Sequence, residues 1–279
     1  MKQFKLQITI LFIMSVTLLN AQTDKFKKAF EFGFFGGGAY YIGDLNPTEH
    51  FVYSKPAGGI IMRYNLSTRH SMRFTATYGN VYGDDALSAD DWQVNRNLNF
   101  SSDIYEVAAG FEICLKKYAI NNMKYTFTPY LFYELAYFRM NPKTQYEGND
   151  VFLHEIGTEG QGSDLSDKRS YSLNQLSVPL GVGFKFNLMK RVAVSFEYGI
   201  RVTFTDYLDD VSGNYVDNAT FANLRGPIAA QLADPSLNGM SSIPGTARGN
   251  SNTKDWYAFY GAMITFKPWK YNVCAFSHY

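Results

Sequence analysis

The strongest constraint on the fold is a strict alternation running from Asn174 to Thr205. Leu176, Val178, Leu180, Val182, Phe184, Phe186 and Leu188 are apolar, with Gln175, Ser177, Pro179, Gly181, Gly183, Lys185 and Asn187 between them. A tight turn at Met189-Lys190 follows. The pattern then resumes with Val192, Val194, Phe196, Tyr198, Ile200, Val202 and Phe204 on one face, and small, polar or charged residues on the other. A period of two sends successive side chains to opposite faces of a sheet. Both runs are longer than the usual globular strand of about 5–6 residues and match the roughly 9–11 residues of a tilted membrane-spanning strand. One greasy face and one mixed face is the pattern of a barrel hairpin with lipid outside and a polar lumen inside. A soluble β-sandwich or lipocalin-like barrel also alternates, with its apolar face turned inward. Strand length, the short turn and the aromatic composition favour the membrane.

The chain begins with a segment of export type. Lys2 and Lys5 give a positive start, residues 6–19 are apolar, and Ala21 is a small residue before a cleavage point at Gln22. The apolar run is shorter than the roughly 20 residues of a membrane helix, and no cysteine follows it for lipid attachment. The expected organisation is a signal peptide over residues 1–21, a barrel over 22–266 and a periplasmic C-terminal tail over 267–279. Aromatics make up 17% of the residues, which suits interfacial girdles. With 26 basic against 25 acidic residues and no basic run, nothing points to nucleic acid.

Alternation extends through the rest of the chain. Further strands are expected near 31–42, 57–66, 71–82, 102–115, 125–139 and 255–266, giving an all-β, closed, antiparallel transmembrane barrel of about eight strands. Gly36, Gly37 and Gly38 interrupt the first strand and allow curvature or close packing. Pro129 and Pro179 fall inside strands, where bulges are expected. Connections alternate between short (67–70, 116–124, 189–190) and long (43–55, 83–99, 141–173, 206–254). In such barrels the short ones are periplasmic and the long ones extracellular.

Strand phase sends Glu31, Glu106, Glu112 and Glu197 inward, together with Arg63, Arg73, Lys185 and Arg201. An eight-stranded interior is just filled by side chains, so these charges are expected to pair in a plugged core. An ion path is the alternative. The four histidines lack metal-ligand spacing. No cofactor, metal site or catalytic set emerges, and the expectation is a protein that is not an enzyme. Cys114 and Cys274 could bridge in an exported protein or remain unrelated thiols.

Two loop motifs stand out. Tyr41 to Pro47 reads YIGDLNP and Thr205 to Gly213 reads TDYLDDVSG. Gly43, Asp44, Asn46 and Pro47 are turn formers, and Asp206, Tyr207, Asp209 and Asp210 follow the seventh strand. In a closed barrel the motifs lie about two strand spacings apart, roughly 10 Å, and are expected to form a cap on one rim. Calcium ligation by the aspartates is an alternative to simple turns. With the leader and the strand pattern, the motifs resemble the PorG family of Bacteroidetes outer-membrane barrels across essentially the whole mature chain. The resemblance implies a non-enzymatic component of the type IX secretion and gliding apparatus, linked to a periplasmic ring of PorK, a lipoprotein, and PorN. A generic barrel for envelope integrity or surface ligand binding is the alternative, and a lipid-modifying barrel enzyme a third. The expected partners are thus outer-membrane lipids and a periplasmic ring. On topology, ring contact belongs to Lys116-Lys117, Asn121-Asn122 and the tail, whose Trp269, Tyr271, Phe276 and Tyr279 are anchor-type aromatics. Those aromatics could equally rest on the membrane interface.

Overall fold

Eight long strands carry the alternation: β1 (Ala29–Ile42), β2 (Lys55–Asn65), β3 (His70–Asp84), β4 (Asn99–Cys114), β5 (Phe127–Arg139), β8 (Asn174–Met189), β9 (Val192–Thr203) and β10 (Trp256–Phe266). A small hairpin, β6 (Pro142–Tyr146) and β7 (Asn149–Phe152), lies between β5 and β8. The computed structural model describes residues 28–120, 122, 124–238 and 243–268. The leader, Asn121, Cys274 and the tail aromatics Trp269, Tyr271, Phe276 and Tyr279 lie outside them.

Every long strand pairs antiparallel with its neighbours. β1 runs against β10 from Phe32↔Phe266 to Ile42↔Trp256, and β3 pairs with β4 from His70↔Ile113 to Asp84↔Asn99. The order β1-β2-β3-β4-β5-β8-β9-β10 returns to β1, so the barrel closes with eight strands and leaves no open edge. Closure satisfies the backbone polar groups that would otherwise face hydrocarbon.

Neither strand proline produces a bulge. Pro129 pairs with Phe184 in register, and Pro179 pairs with Arg201. On its β5 side Pro179 sits where the ladder lacks two rungs, between Tyr133↔Leu180 and Ala136↔Ser177, and the register resumes unchanged. A missing N–H removes a rung without adding a residue. The one register shift in this hairpin is at Asn187/Met189, beside the turn.

The exterior is apolar around the barrel. Phe34, Val107, Leu135, Phe184, Phe196 and Ile264 are exposed on it, and a continuous exposed apolar surface of this extent demands a nonpolar environment. The closed antiparallel barrel with this band is an outer-membrane barrel. Short connections (66–69, 115–126, 190–191) emerge at one end, which is the periplasmic end by the usual rule. The long ones emerge at the other.

Both mouths are closed. At the periplasmic end the connection after β4 folds inward instead of hanging free: Tyr118 and Ile120 pack with Cys114, Tyr130, Phe132 and Ala193, and the Tyr118 amide donates to the Thr68 carbonyl at 2.8 Å. At the extracellular end Leu208 and Val211 from the last loop join Tyr41, Phe100, Phe138 and Tyr257 in the upper core. Among the described residues that end also holds four short α-helices: α1 (Asp91–Arg96), α2 (Leu153–Ile156), α3 (Asn218–Arg225) and α4 (Pro227–Ala233). Asp217 caps α3 by accepting from the Thr220 amide, and Pro227 opens α4, each a favoured helix start. Phe221, Ala229, Ala230 and Ala233 make a second small core above the mouth, against Ile156, Leu165 and Val216.

Candidate functional site

The lumen is an ion-pair network. Alternation turns Glu31, Arg63, Arg73, Glu106, Glu112, Lys185, Glu197 and Arg201 inward, and all are buried. Glu112 is the hub: Arg63 Nε donates to it at 2.8 Å, Lys185 Nζ donates to its other oxygen, and Arg73 lies 3.9 Å away. Arg73 also grips Glu197 through two hydrogen bonds. Its guanidinium sits 4.0 Å over the Phe132 ring, a favourable cation–π arrangement. Arg201 meets Glu106 at 3.2 Å, and Tyr257 donates to the same carboxylate at 2.7 Å. Glu31 accepts from Asn65 at 2.6 Å and from Thr265 at 3.3 Å, and is held by neutral donors. A ninth charge, Glu134, belongs to the set, 3.2 Å from Arg73.

Room for these side chains comes from inward glycines. A Cβ on Gly183 would lie 2.4 Å from the Tyr130 ring, and one on Gly181 would lie 2.3 Å from Phe132. Those rings brace the arginines from below. Arg63, Arg73, Glu112 and Lys185 are all at 0% exposure, so the arrangement is a packed polar core and the geometry favours the plugged reading over an ion path.

The second cluster is on the extracellular rim, where the two loop motifs meet. Gly43 and Asn46 close a turn by reciprocal backbone bonds of 3.1 Å. A Cβ on Gly43 would collide with the Tyr41 hydroxyl and the Asp255 carboxylate. Asn46 donates to the carbonyls of Tyr41 and Glu49, both at 2.8 Å. Asp44 accepts from the Asn250 amide at 3.1 Å. Pro47 lines a rim cavity of about 560 Å³ shared with Glu49, Tyr53, Asp84, Asp90 and Asp91. From the second motif, Asp209 accepts from the Tyr41 hydroxyl and from the Val211 amide, so the two motifs bond directly. Asp206 accepts from Ser212 at 2.6 Å. Asp210 accepts from the Thr158 hydroxyl and from Tyr171 at 2.7 Å. Tyr207 stacks on Tyr171 at 4.7 Å and donates to Glu159.

Residues outside the motifs complete the cap. Arg96 binds Asp85 through two bonds of 2.6 and 2.7 Å and donates to the carbonyls of Asp44 and Arg248. Arg248 donates to the Asp210 carbonyl at 2.7 Å and pairs with Glu159 at 3.4 Å. Glu159 also accepts from the Ser212 and Gly213 amides. All four extracellular segments are thereby tied together. Burial pushes Asp206 and Asp210 up to about 6. Burial, followed by the Asp44 charge, holds Asp209 well above the ordinary carboxylate range, and burial with Asp209 does the same to Asp255. Hydroxyl and amide donors engage these aspartates. Among the described residues no three or more His, Cys, Asp or Glu side chains are arranged to hold a metal ion.

Fold and belt define the class: a small outer-membrane β-barrel with a charged, filled lumen and a structured extracellular cap. The chain belongs to the family described as "Domain of unknown function (DUF6089)", whose model matches residues 4–231. No curated protein matches it. Among solved structures it is similar to Neisserial surface protein A (11% identity, TM-score 0.43, 87% of this chain and 100% of that one). It is also similar to OprG from Pseudomonas aeruginosa (12% identity, TM-score 0.37, 86% and 98%). A major outer membrane protein from Thermus thermophilus is a third (12% identity, TM-score 0.38, 86% and 100%).

Proposed function

We propose that this barrel is a non-enzymatic membrane anchor for a periplasmic assembly, of the PorG type in a type IX secretion apparatus, holding a lipoprotein ring of PorK/PorN type. The observation that carries the reading is the filled lumen. A barrel whose interior charges are buried and held by one another or by neutral donors, and whose two mouths are closed, is a rigid post rather than a conduit. The motifs YIGDLNP and TDYLDDVSG add the family resemblance, and their residues build the cap that stiffens the outer end. Ring contact falls to the periplasmic end, chiefly to the tail carrying Trp269, Tyr271, Phe276 and Tyr279. Tyr118 and Ile120 are spent on sealing the barrel.

Crosslinking and affinity purification from outer membranes test this. Deleting residues 269–279 is expected to leave the barrel inserted but to abolish co-purification of ring proteins and secretion, while shortening 214–250 preserves both. Normal secretion in a strain lacking the whole protein, with only envelope sensitivity, would overturn the anchor in favour of a general envelope role.

A further inference from the structure

The two ends of the barrel carry opposite charge. The three periplasmic turns contain Arg69, then Lys116, Lys117 and Lys124, then Lys190 and Arg191, and no Asp or Glu at all. The four extracellular segments, residues 43–54, 85–98, 140–173 and 204–255, hold 17 Asp and Glu against 7 Lys and Arg. A net charge of nearly zero conceals this division.

The position of the cations matters as much as their sign. Lys116 directly follows Leu115, Lys190 follows Met189 and Lys267 follows Phe266. Each of those apolar residues is on the outer wall and exposed. One residue advances a strand by about 3.3 Å, so the Cα atoms of these lysines stand at the edge of the apolar belt. Lys116 shows the geometry. Its Nζ lies 5.6 Å from the Phe127 ring centroid, and Phe127 belongs to an outward aromatic row with Phe184 and Phe186. Lys124 Nζ lies 5.8 Å from Tyr125. A lysine stem lying along aromatic wall with its charge at the boundary is placed for the headgroup layer.

We propose that this rim is a binding surface for anionic phospholipid headgroups of the periplasmic leaflet, with Lys116, Lys124 and Lys190 engaging the phosphates. The acidic cap at the opposite end has the wrong sign for such lipids, so binding is confined to one leaflet. This goes beyond the anchor reading, since it holds whether or not a ring is attached to the tail.

The test reconstitutes the mature full-length protein into nanodiscs of equimolar phosphatidylglycerol and phosphatidylcholine with matched chains. Native mass spectrometry then reads the lipids retained. The expected result is selective retention of phosphatidylglycerol, weakened about fivefold for each lysine removed, in K116Q/K124Q/K190Q. Retention is expected to survive in K116R/K124R/K190R and in the extracellular control K143Q/K168Q/K254Q. A heat-modifiable gel shift verifies that each variant is folded. Equal retention of the two lipids, or wild-type selectivity in the glutamine triple variant, would overturn the proposal. Ring co-purification after deletion of residues 269–279, which leaves Lys116, Lys124 and Lys190 in place, reads the anchor separately, so either inference can fail alone.

Discussion

Arg73 on β3 and Glu197 on β9 meet across the lumen through two parallel hydrogen bonds, Nη1 to Oε2 at 2.8 Å and Nη2 to Oε1 at 3.0 Å. The strands that carry them are not neighbours in the barrel. The pair therefore ties opposite walls, and Tyr130 from a third strand donates to the same carboxylate at 2.9 Å. Such a fork is the strongest form of side-chain pairing, and here both partners are buried.

Removing one partner of that fork leaves a buried carboxylate stranded. Arg73→Ala is expected to destabilise the barrel by about 3–5 kcal/mol, because Glu197 and Glu134 both lose their cation. Arg201→Ala, which strands Glu106, is expected to behave similarly. Arg225→Ala is the neutral control, since Arg225 is exposed on α3. Arg248 is unsuitable as a loop control: although it lies in the last extracellular segment, it is buried on Glu159. Urea midpoints in detergent check this; an Arg73→Ala midpoint equal to that of Arg225→Ala would remove the network from any role in stability.

The lipid face makes a separate demand. Phe196 is exposed in the middle of β9, between Phe184 of β8 and Ala262 of β10. Phe196→Arg is expected to cost about 2–4 kcal/mol near the bilayer midplane and to reduce insertion. Leu224→Arg, on an exposed loop helix, is expected to insert normally. Equal yields of both variants in purified outer membranes would contradict the belt.

How much of this was legible in the chain depends on whether a strand has two different faces. In β9 one face is apolar and the other polar, so phase could be read directly and Glu197 and Arg201 placed inside. In β5 both faces are apolar: Leu131, Leu135 and Tyr137 point out while Tyr130, Phe132 and Phe138 point in. Alternation there gives no phase, and Glu134 was missed. The rim failed differently. Arg96, Glu159 and Arg248 are brought together by loops distant in sequence, and no local period signals such contacts. The β6–β7 hairpin left a faint trace in Glu147-Gly148, both at positive φ, a turn signal inside a stretch read as one long loop.

Packing against glycine gives a third expectation. Tyr130 occupies the space over Gly183, and its hydroxyl supports Glu197. Gly183→Val would place methyl groups where the ring now lies. Overpacking of this kind typically costs about 1–3 kcal/mol, and loss of the Glu197 donor adds to it. The double variant Gly183→Val/Tyr130→Ala is expected to be less destabilised than the sum of its single changes, because the clash with the ring is relieved while that with the Phe196 carbonyl stays. Strict additivity in a double-mutant cycle would show that the two positions do not meet.

The rim cap is expected to loosen as pH rises. Asp206 and Asp210 are pushed up to about 6 by burial, against an ordinary carboxyl value near 4. The folded cap therefore binds protons that the opened loop does not. Its stability is greatest below about pH 4 and is lost as pH climbs through about 6. Asp209 and Asp255, also held above the ordinary range, act in the same direction. Hydrogen exchange of the amides from Leu208 to Gly213, corrected for the intrinsic rate, is expected to show more protection at about pH 5 than at about pH 8. Asp206→Asn keeps an oxygen for the Ser212 hydroxyl and removes one titrating charge. It is expected to raise protection at the higher pH and to flatten the profile without moving its sign. An unchanged profile in the variant would assign the pH dependence to Asp210, Asp209 and Asp255 alone, and greater protection at the higher pH in the parent protein would refute the expectation outright.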